Sequence, residues 1–231
     1  MYTSNKRLLK DTNDMNSKEM NDLGIYYYYD ECDMTKGTGL VFGPEGTPYA
    51  DIPLVFSVTI PADYPFNPPS VTIVTSDGAT RFHPNLYVAG KVCLSILGTY
   101  SGPKWSSAMR ISSVFNSILS LLNDNPIVNE PSWENYTLDH PLAKDYAEWV
   151  EFNLLKHAVH EYRNFRSGGQ QETIWEPFRE VFDAVWPARW ARILERIQAR
   201  ATGGVIQYTR IPYGMSGAAD WPRLKDEAVA P

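Results

Sequence analysis

Strand-like and helix-like periodicity occupy separate parts of this chain. In Leu54-Val55-Phe56-Ser57-Val58-Thr59-Ile60, Leu54, Phe56, Val58 and Ile60 share one face and Ser57 and Thr59 the other, the pattern of a half-buried strand. The aromatic, β-prone run Ile25-Tyr26-Tyr27-Tyr28-Tyr29 predicts a strand before it, as does Gly37-Thr38-Gly39-Leu40-Val41-Phe42. Ser70-Val71-Thr72-Ile73-Val74 predicts a fourth. Between the last two, Pro61, Pro65, Pro68 and Pro69 remove backbone donors and hold the connection extended.

After Cys93 the period changes to that of a helix. Ile111, Val114, Phe115, Ile118, Leu119, Leu121 and Leu122 predict a largely buried helix over roughly 110–122, with a start as early as Ser106 and no need of Ser112 or Ser113 as a cap. Another is expected over 141–165. A short first helix is expected from Lys6 to about Met15. Ser167-Gly168-Gly169-Gln170-Gln171 is a linker by composition. Ile174, Phe178, Val181, Phe182 and Val185 form one helical stripe. Pro187 interrupts it, and Trp190, Ile193, Leu194 and Ile197 form a second. From Thr202 glycine, proline and charge break every period, so a loosely ordered tail is expected. The layout is α+β: a four-stranded antiparallel meander with flanking helices and a C-terminal helical extension. The expected divisions are 1–165, 166–200 and 201–231.

Composition excludes several function classes. Net charge is -6, and there is no basic stripe of the kind that binds nucleic acid. The one compact basic cluster, Lys6, Arg7 and Lys10, is either a solvated helix face or a protein-docking patch. No run approaches the ~18 apolar residues that span a membrane. The first residues lack the apolar stretch of a secretory signal. Two cysteines, Cys32 and Cys93, cannot build a disulfide framework, which points to a reducing cytoplasmic or nuclear setting. His140, His157 and His160 have no metal-ligand spacing with them, so neither a zinc site nor a cofactor is expected.

The chemistry-bearing stretch is Arg81-Phe82-His83-Pro84-Asn85-Leu86-Tyr87, with Cys93 eight residues after Asn85 and Trp105 beyond. With Pro61-x-Asp63-Tyr64-Pro65-Phe66-x-Pro68-Pro69 and Thr47-Pro48-Tyr49 upstream, this order resembles the ubiquitin-conjugating enzymes. Lys91-Val92-Cys93-Leu94-Ser95-Ile96-Leu97-Gly98-Thr99, Gly102-Pro103-x-Trp105-Ser106 and Asn129-Glu130-Pro131 are similar to the large Z-type members. There are departures. Ser107 stands where the family commonly has proline, His83 where Z-type chains tend to have asparagine, and the loop Asn123-Asp124-Asn125-Pro126 is shortened.

The resemblance implies the conjugating fold over 1–165 and a thioester relay. Cys93 would take ubiquitin, or a ubiquitin-like modifier, from the activating enzyme and pass it to a substrate lysine or a ligase cysteine. Asn85 would donate to the oxyanion or pin the loop by hydrogen bonds. Asp124 would receive or desolvate the amine proton, or form only a polar turn. Phe66 and Ala108 match positions where ligases dock, and His83, Pro84 and Trp105 are structural. A histidine base poised for a cysteine hydrolase is lacking. The alternative is a non-catalytic ubiquitin-binding scaffold of the same fold, but such variants lack the cysteine. The extension is expected to dock on the core and to shape which activating enzyme or modifier is accepted.

Overall fold

The computed structural model describes residues 2–167 and 173–230. Helices α1 (Tyr2–Met15) and α2 (Lys18–Asp22) precede strands β1 (Ile25–Tyr29), β2 (Lys36–Phe42), β3 (Pro53–Thr59) and β4 (Ser70–Ile73). The strands pair antiparallel in the order β1-β2-β3-β4, the meander expected from the alternation. Register follows the apolar pattern: Gly39 opposes Phe56, and Val58 opposes Val71. The residue without a side chain at Gly39 has a steric reason. A Cβ there would lie 2.0 Å from Phe115 Cζ, so only glycine lets the following helix lie this close to the sheet.

That helix, α3 (Ile111–Leu121), buries Ile111, Val114, Phe115 and Ile118. It begins at Ile111 and not near Ser106, and Ser113 does cap it: its hydroxyl accepts from the Arg110 N–H at 3.1 Å. The long α4 (Pro141–Ser167) closes the core with Tyr146, Val150, Leu154 and Ala158, each fully buried. Of the expected linker, Ser167 ends α4, while 168–171 lie outside the described residues.

The extension differs from expectation twice. First, α5 (Arg179–Ala201) runs straight through Pro187. Proline in a helix interior costs about 3 kcal/mol. Here Pro187 and Asp183, whose carbonyl loses its partner, are exposed, so water can serve that carbonyl. The opposite face buries Phe182, Trp186, Ile193 and Ile197. Each such side chain contributes roughly 1.5–3 kcal/mol, which outweighs the break. Second, the tail is ordered. Strands β5 (Val205–Ile211) and β6 (Met215–Asp220) form an antiparallel hairpin, followed by α6 (Trp221–Val229). Its order comes from contacts with α4: Tyr208 O–H donates to Glu148 at 2.8 Å, and Trp221 packs edge-on to Phe152. Gly217 lets the hairpin meet Trp149, whose ring a Cβ would approach to 2.7 Å.

The extension docks on the core through two kinds of contact. Phe182 and Trp186 pack on Phe42 at the end of β2, within a cluster that includes Trp175 and Phe165. Beside it, arginines spaced three, four and four apart form a ladder. Arg189 and Arg192 bind Asp51, Arg196 binds Glu151, and Arg200 bridges Glu148 and Glu151. Burial pushes the Asp51 carboxyl up, but the Arg192 and Arg189 guanidiniums outweigh it and hold it below the usual carboxylate range. Among the described residues no helix is long and apolar enough to cross a membrane.

Candidate active site

The eight-residue spacing between Asn85 and Cys93 closes a small irregular loop. Cys93 N–H donates to the Asn85 carbonyl at 2.8 Å, and Asn85 Nδ2 donates back to the Cys93 carbonyl at 2.8 Å. The two residues are thus tied by main chain and side chain together. Leu86 N–H donates to the His83 carbonyl, Tyr87 N–H to the Lys91 carbonyl and Gly90 N–H to the Tyr87 carbonyl, completing the loop. Thr99, one position after the αL residue Gly98, ties down the far side of the short 3-10 turn Ser95–Leu97. Its hydroxyl donates to the Val92 carbonyl at 2.7 Å and accepts from the Leu94 N–H at 3.0 Å. Cys93 is 4% exposed and Asn85 7%. Cys32, the other thiol, is exposed and lies far from this loop in sequence, between β1 and β2.

His83 is fully buried, and its Nδ1 accepts from the Asn85 N–H at 3.0 Å. Burial pushes its imidazole down to about 3, and the Arg81 charge acts in the same direction. It is neutral near pH 7 with its acceptor nitrogen occupied, so it holds the turn and has no capacity left as a general base.

The loops on either side are stapled to each other. Trp105 Nε1 donates to the Pro65 carbonyl at 2.8 Å, linking the 105–110 segment to the proline-rich turn. Phe66 on that turn is 79% exposed, and Ala108 is also exposed. Arg7 reaches the same place from α1. It donates to the Ser107 and Met109 carbonyls and pairs with Asp11, whose buried carboxylate also accepts from Tyr64. Arg7, its side chain 24% exposed, is thus engaged within the protein and is not a wholly solvated member of the Lys6, Arg7 and Lys10 cluster. Lys6 and Lys10 stay exposed.

Asp124 is exposed in the turn after α3, and among the described residues its carboxylate has no hydrogen-bond partner. The neighbouring Asn125 holds this turn by donating to the Tyr136 carbonyl at 2.7 Å. Among the described residues no group of three His, Cys, Asp or Glu side chains could hold a metal. Sequence reasoning gave Thr99 no role and read Arg7 only as one member of the basic cluster. Thr99 lay inside the quoted motif but carries no distinctive spacing. Arg7's role depends on a partner 100 residues away.

The family model for ubiquitin-conjugating enzymes matches residues 7–151. The chain belongs to the ubiquitin-conjugating enzyme family. Within it, the likeness is to the Z type. Human ubiquitin-conjugating enzyme E2 Z is 46% identical over 138 residues, 59% of this chain and 38% of the human protein. The Xenopus tropicalis E2 Z is 44% identical over 139 residues, 60% of this chain and 44% of that protein. The matched stretch thus spans less than half the length of these relatives. A solved structure of a candidate ubiquitin-conjugating enzyme from Plasmodium yoelii is 26% identical, with a TM-score of 0.50, over 64% of this chain and 90% of its own. The family match ends at residue 151, inside α4.

Proposed function

We propose that this chain carries ubiquitin, or a ubiquitin-like modifier, as a thioester on Cys93 and passes it to a substrate lysine or a ligase cysteine. The observation that carries the reading is the Asn85–Cys93 pairing inside a family that shares the motif. In the first step the Cys93 thiolate attacks the carbonyl carbon of the activating enzyme's thioester. A new C–S bond forms, the old one breaks, and the released thiolate takes up a proton. In the second step an amine nitrogen attacks the same carbon, loses a proton, and Cys93 leaves as the thiolate. Asn85 has two amide hydrogens and spends one on the Cys93 carbonyl. The other supports the reading that it donates to the oxyanion of each step. Asp124, exposed and unpaired among the described residues, is the proposed acceptor or desolvating neighbour for the amine proton.

Phe66 and Ala108, exposed on stapled loops, form the proposed ligase contact, with Lys6 and Lys10 as the polar docking edge. Two free thiols fit work in the reducing cytoplasm or nucleus. The docked extension is proposed to shape which activating enzyme or modifier is accepted. The test is to mix the protein with ATP, an activating enzyme and ubiquitin. A reductant-cleavable gain of one ubiquitin mass is expected, absent in Cys93→Ala and retained in Cys32→Ser. Retention in Cys93→Ala would sink the reading, as would failure across a panel of modifiers and activating enzymes.

A further inference from the structure

The tip of the C-terminal hairpin touches the active-site segment, and its geometry is unusual. Tyr213 sits there with φ 65, a left-handed backbone that a bulky L-residue rarely adopts. A residue held in that conformation needs contacts that repay it. Tyr213 has three. Its O–H donates to Glu130 Oε2 at 2.6 Å. Its ring lies edge-on to Tyr146, 5.8 Å between centroids. The Arg81 guanidinium lies over its ring, 4.1 Å from the centroid, and also over the Tyr87 ring at 3.8 Å.

Arg81 is the first residue of the active-site motif, and several contacts hold it. Its N–H donates to the Met215 sulfur at 3.3 Å, also from the hairpin. Its carbonyl accepts from Tyr146 O–H at 2.8 Å. Its Nη2 donates to the Pro84 carbonyl, the peptide group immediately before Asn85, and lies 3.8 Å from Glu130. Glu130 in turn ends the 3-10 turn Pro126–Asn129, which follows the Asp124 loop. One aromatic side chain from the extension therefore contacts two segments: the turn that carries Asn85, through Arg81, and the 3-10 turn that follows Asp124, through Glu130.

We propose that Tyr213 is a positioning residue for transfer from Cys93, acting through Arg81 and Glu130. The proposal rests on the function stated above. It assigns the extension a part in the reaction through a contact that lies beyond the family-matched residues 7–151. Tyr213 touches neither thiol nor acceptor. By packing its ring on Arg81 it keeps the Pro84 carbonyl fixed, and with it the aim of the Asn85 amide.

The test uses the full chain with Tyr213→Phe, Tyr213→Ala, Arg81→Ala and the Arg81→Ala/Tyr213→Ala double variant. Thioester formation and single-turnover discharge to saturating free lysine are measured beside amide exchange. Tyr213→Ala is expected to discharge about fivefold to tenfold more slowly, with charging within about twofold of the parent. Tyr213→Phe, which keeps the ring on Arg81, should fall between. The double variant should be no slower than Arg81→Ala alone, since both act through one contact. Amides at Leu86, Tyr87 and Cys93 should exchange faster in Tyr213→Ala while α3 is unchanged. Parent-like discharge, an additive double variant, or faster exchange spread evenly over α3 and the sheet would each overturn the proposal. If the parent fails to charge on Cys93, the functional reading falls by itself, and the exchange pattern still decides whether Tyr213 holds the segment.

Discussion

The segment from Arg81 to Thr99 and the extension from Thr173 onward hold their shape in opposite ways. In the segment most polar groups bond close neighbours: Asn85 reaches Cys93 eight residues on, and Thr99 reaches Val92 seven back. In the extension the decisive contacts are remote. Arg192 finds Asp51 141 positions away, and Arg196 finds Pro48 at 148. A locally bonded segment can be lifted out of sequence by spacing, because the bonds are the spacing. A remotely bonded one has no local signature. The comparison also divides the proposed labour: the proposed chemistry sits in the first region, and the second supplies packing and the proposed brace.

The largest stability effect should come from breaking the extension. Trp186 is 2% exposed and packs among Phe42, Phe182 and Trp175. Trp186→Ala should cost about 3–5 kcal/mol, measured by chemical denaturation. Charging of Cys93 per folded molecule should change little, which separates packing from chemistry. Equal loss of both would merge the two regions.

Asn85→Ala attacks the other side of the comparison. If the amide donates to the oxyanion, discharge to free lysine should slow by roughly a hundredfold to a thousandfold, about 2.7–4 kcal/mol, while charging is still detected. A variant that folds poorly and never charges would favour the loop-pinning role that Asn85 already fills in the ground state.

These two regions also mark what was legible beforehand. The meander was, because alternation in Leu54–Ile60 and the prolines after it fix strand and turn locally. So were the Cys93 loop and α3. The hairpin was not. Exposure alternates along most of β5 and β6, but only Tyr208 and Ile211 are buried in the first and Ala219 in the second, and Gly217, Ala218 and Ala219 carry too little side chain for the alternation to show in the sequence. Its order is lent by Trp149, Phe152 and Glu148 on α4. Pro187 misled for a related reason: a local helix-breaking rule lost to tertiary burial of Trp186 and Ile193. Arg7 looked like surface charge because its carbonyl partners, Ser107 and Met109, are distant in sequence.

Acid should loosen the active-site segment next. His83 is pushed down to about 3 and His157, which packs beside Phe82, to about 4, each first by burial. A depressed folded value means the unfolded chain binds the proton first. The stabilisation is complete above the unfolded value of about 6.5 and is lost as pH falls toward the folded values. Between pH 7 and pH 5 each histidine should remove on the order of 2 kcal/mol. Denaturation curves over that range should show it, and His157→Gln should make the fall shallower. A pH-independent midpoint would contradict the burial argument.

The smallest expected effect is at the very end of the extension. Asp220 caps α6 by accepting from the Arg223 N–H at 3.0 Å. Asp220→Ala should cost about 1 kcal/mol, read as a small shift in denaturation midpoint, with charging unchanged. A loss several times larger would mean that α6 supports the core far more than its cap contact implies.

The most direct measurement asks which thiol carries the acyl group. After charging, free thiols are blocked with one alkylating agent, the thioester is released with hydroxylamine, and the freed thiol is marked with a second. Cys32 is exposed and Cys93 buried in the loop with Asn85. The expected result is the first label on Cys32 and the second on Cys93. The second label on Cys32, or on neither cysteine, would contradict the placement of the chemistry in the Asn85–Cys93 loop.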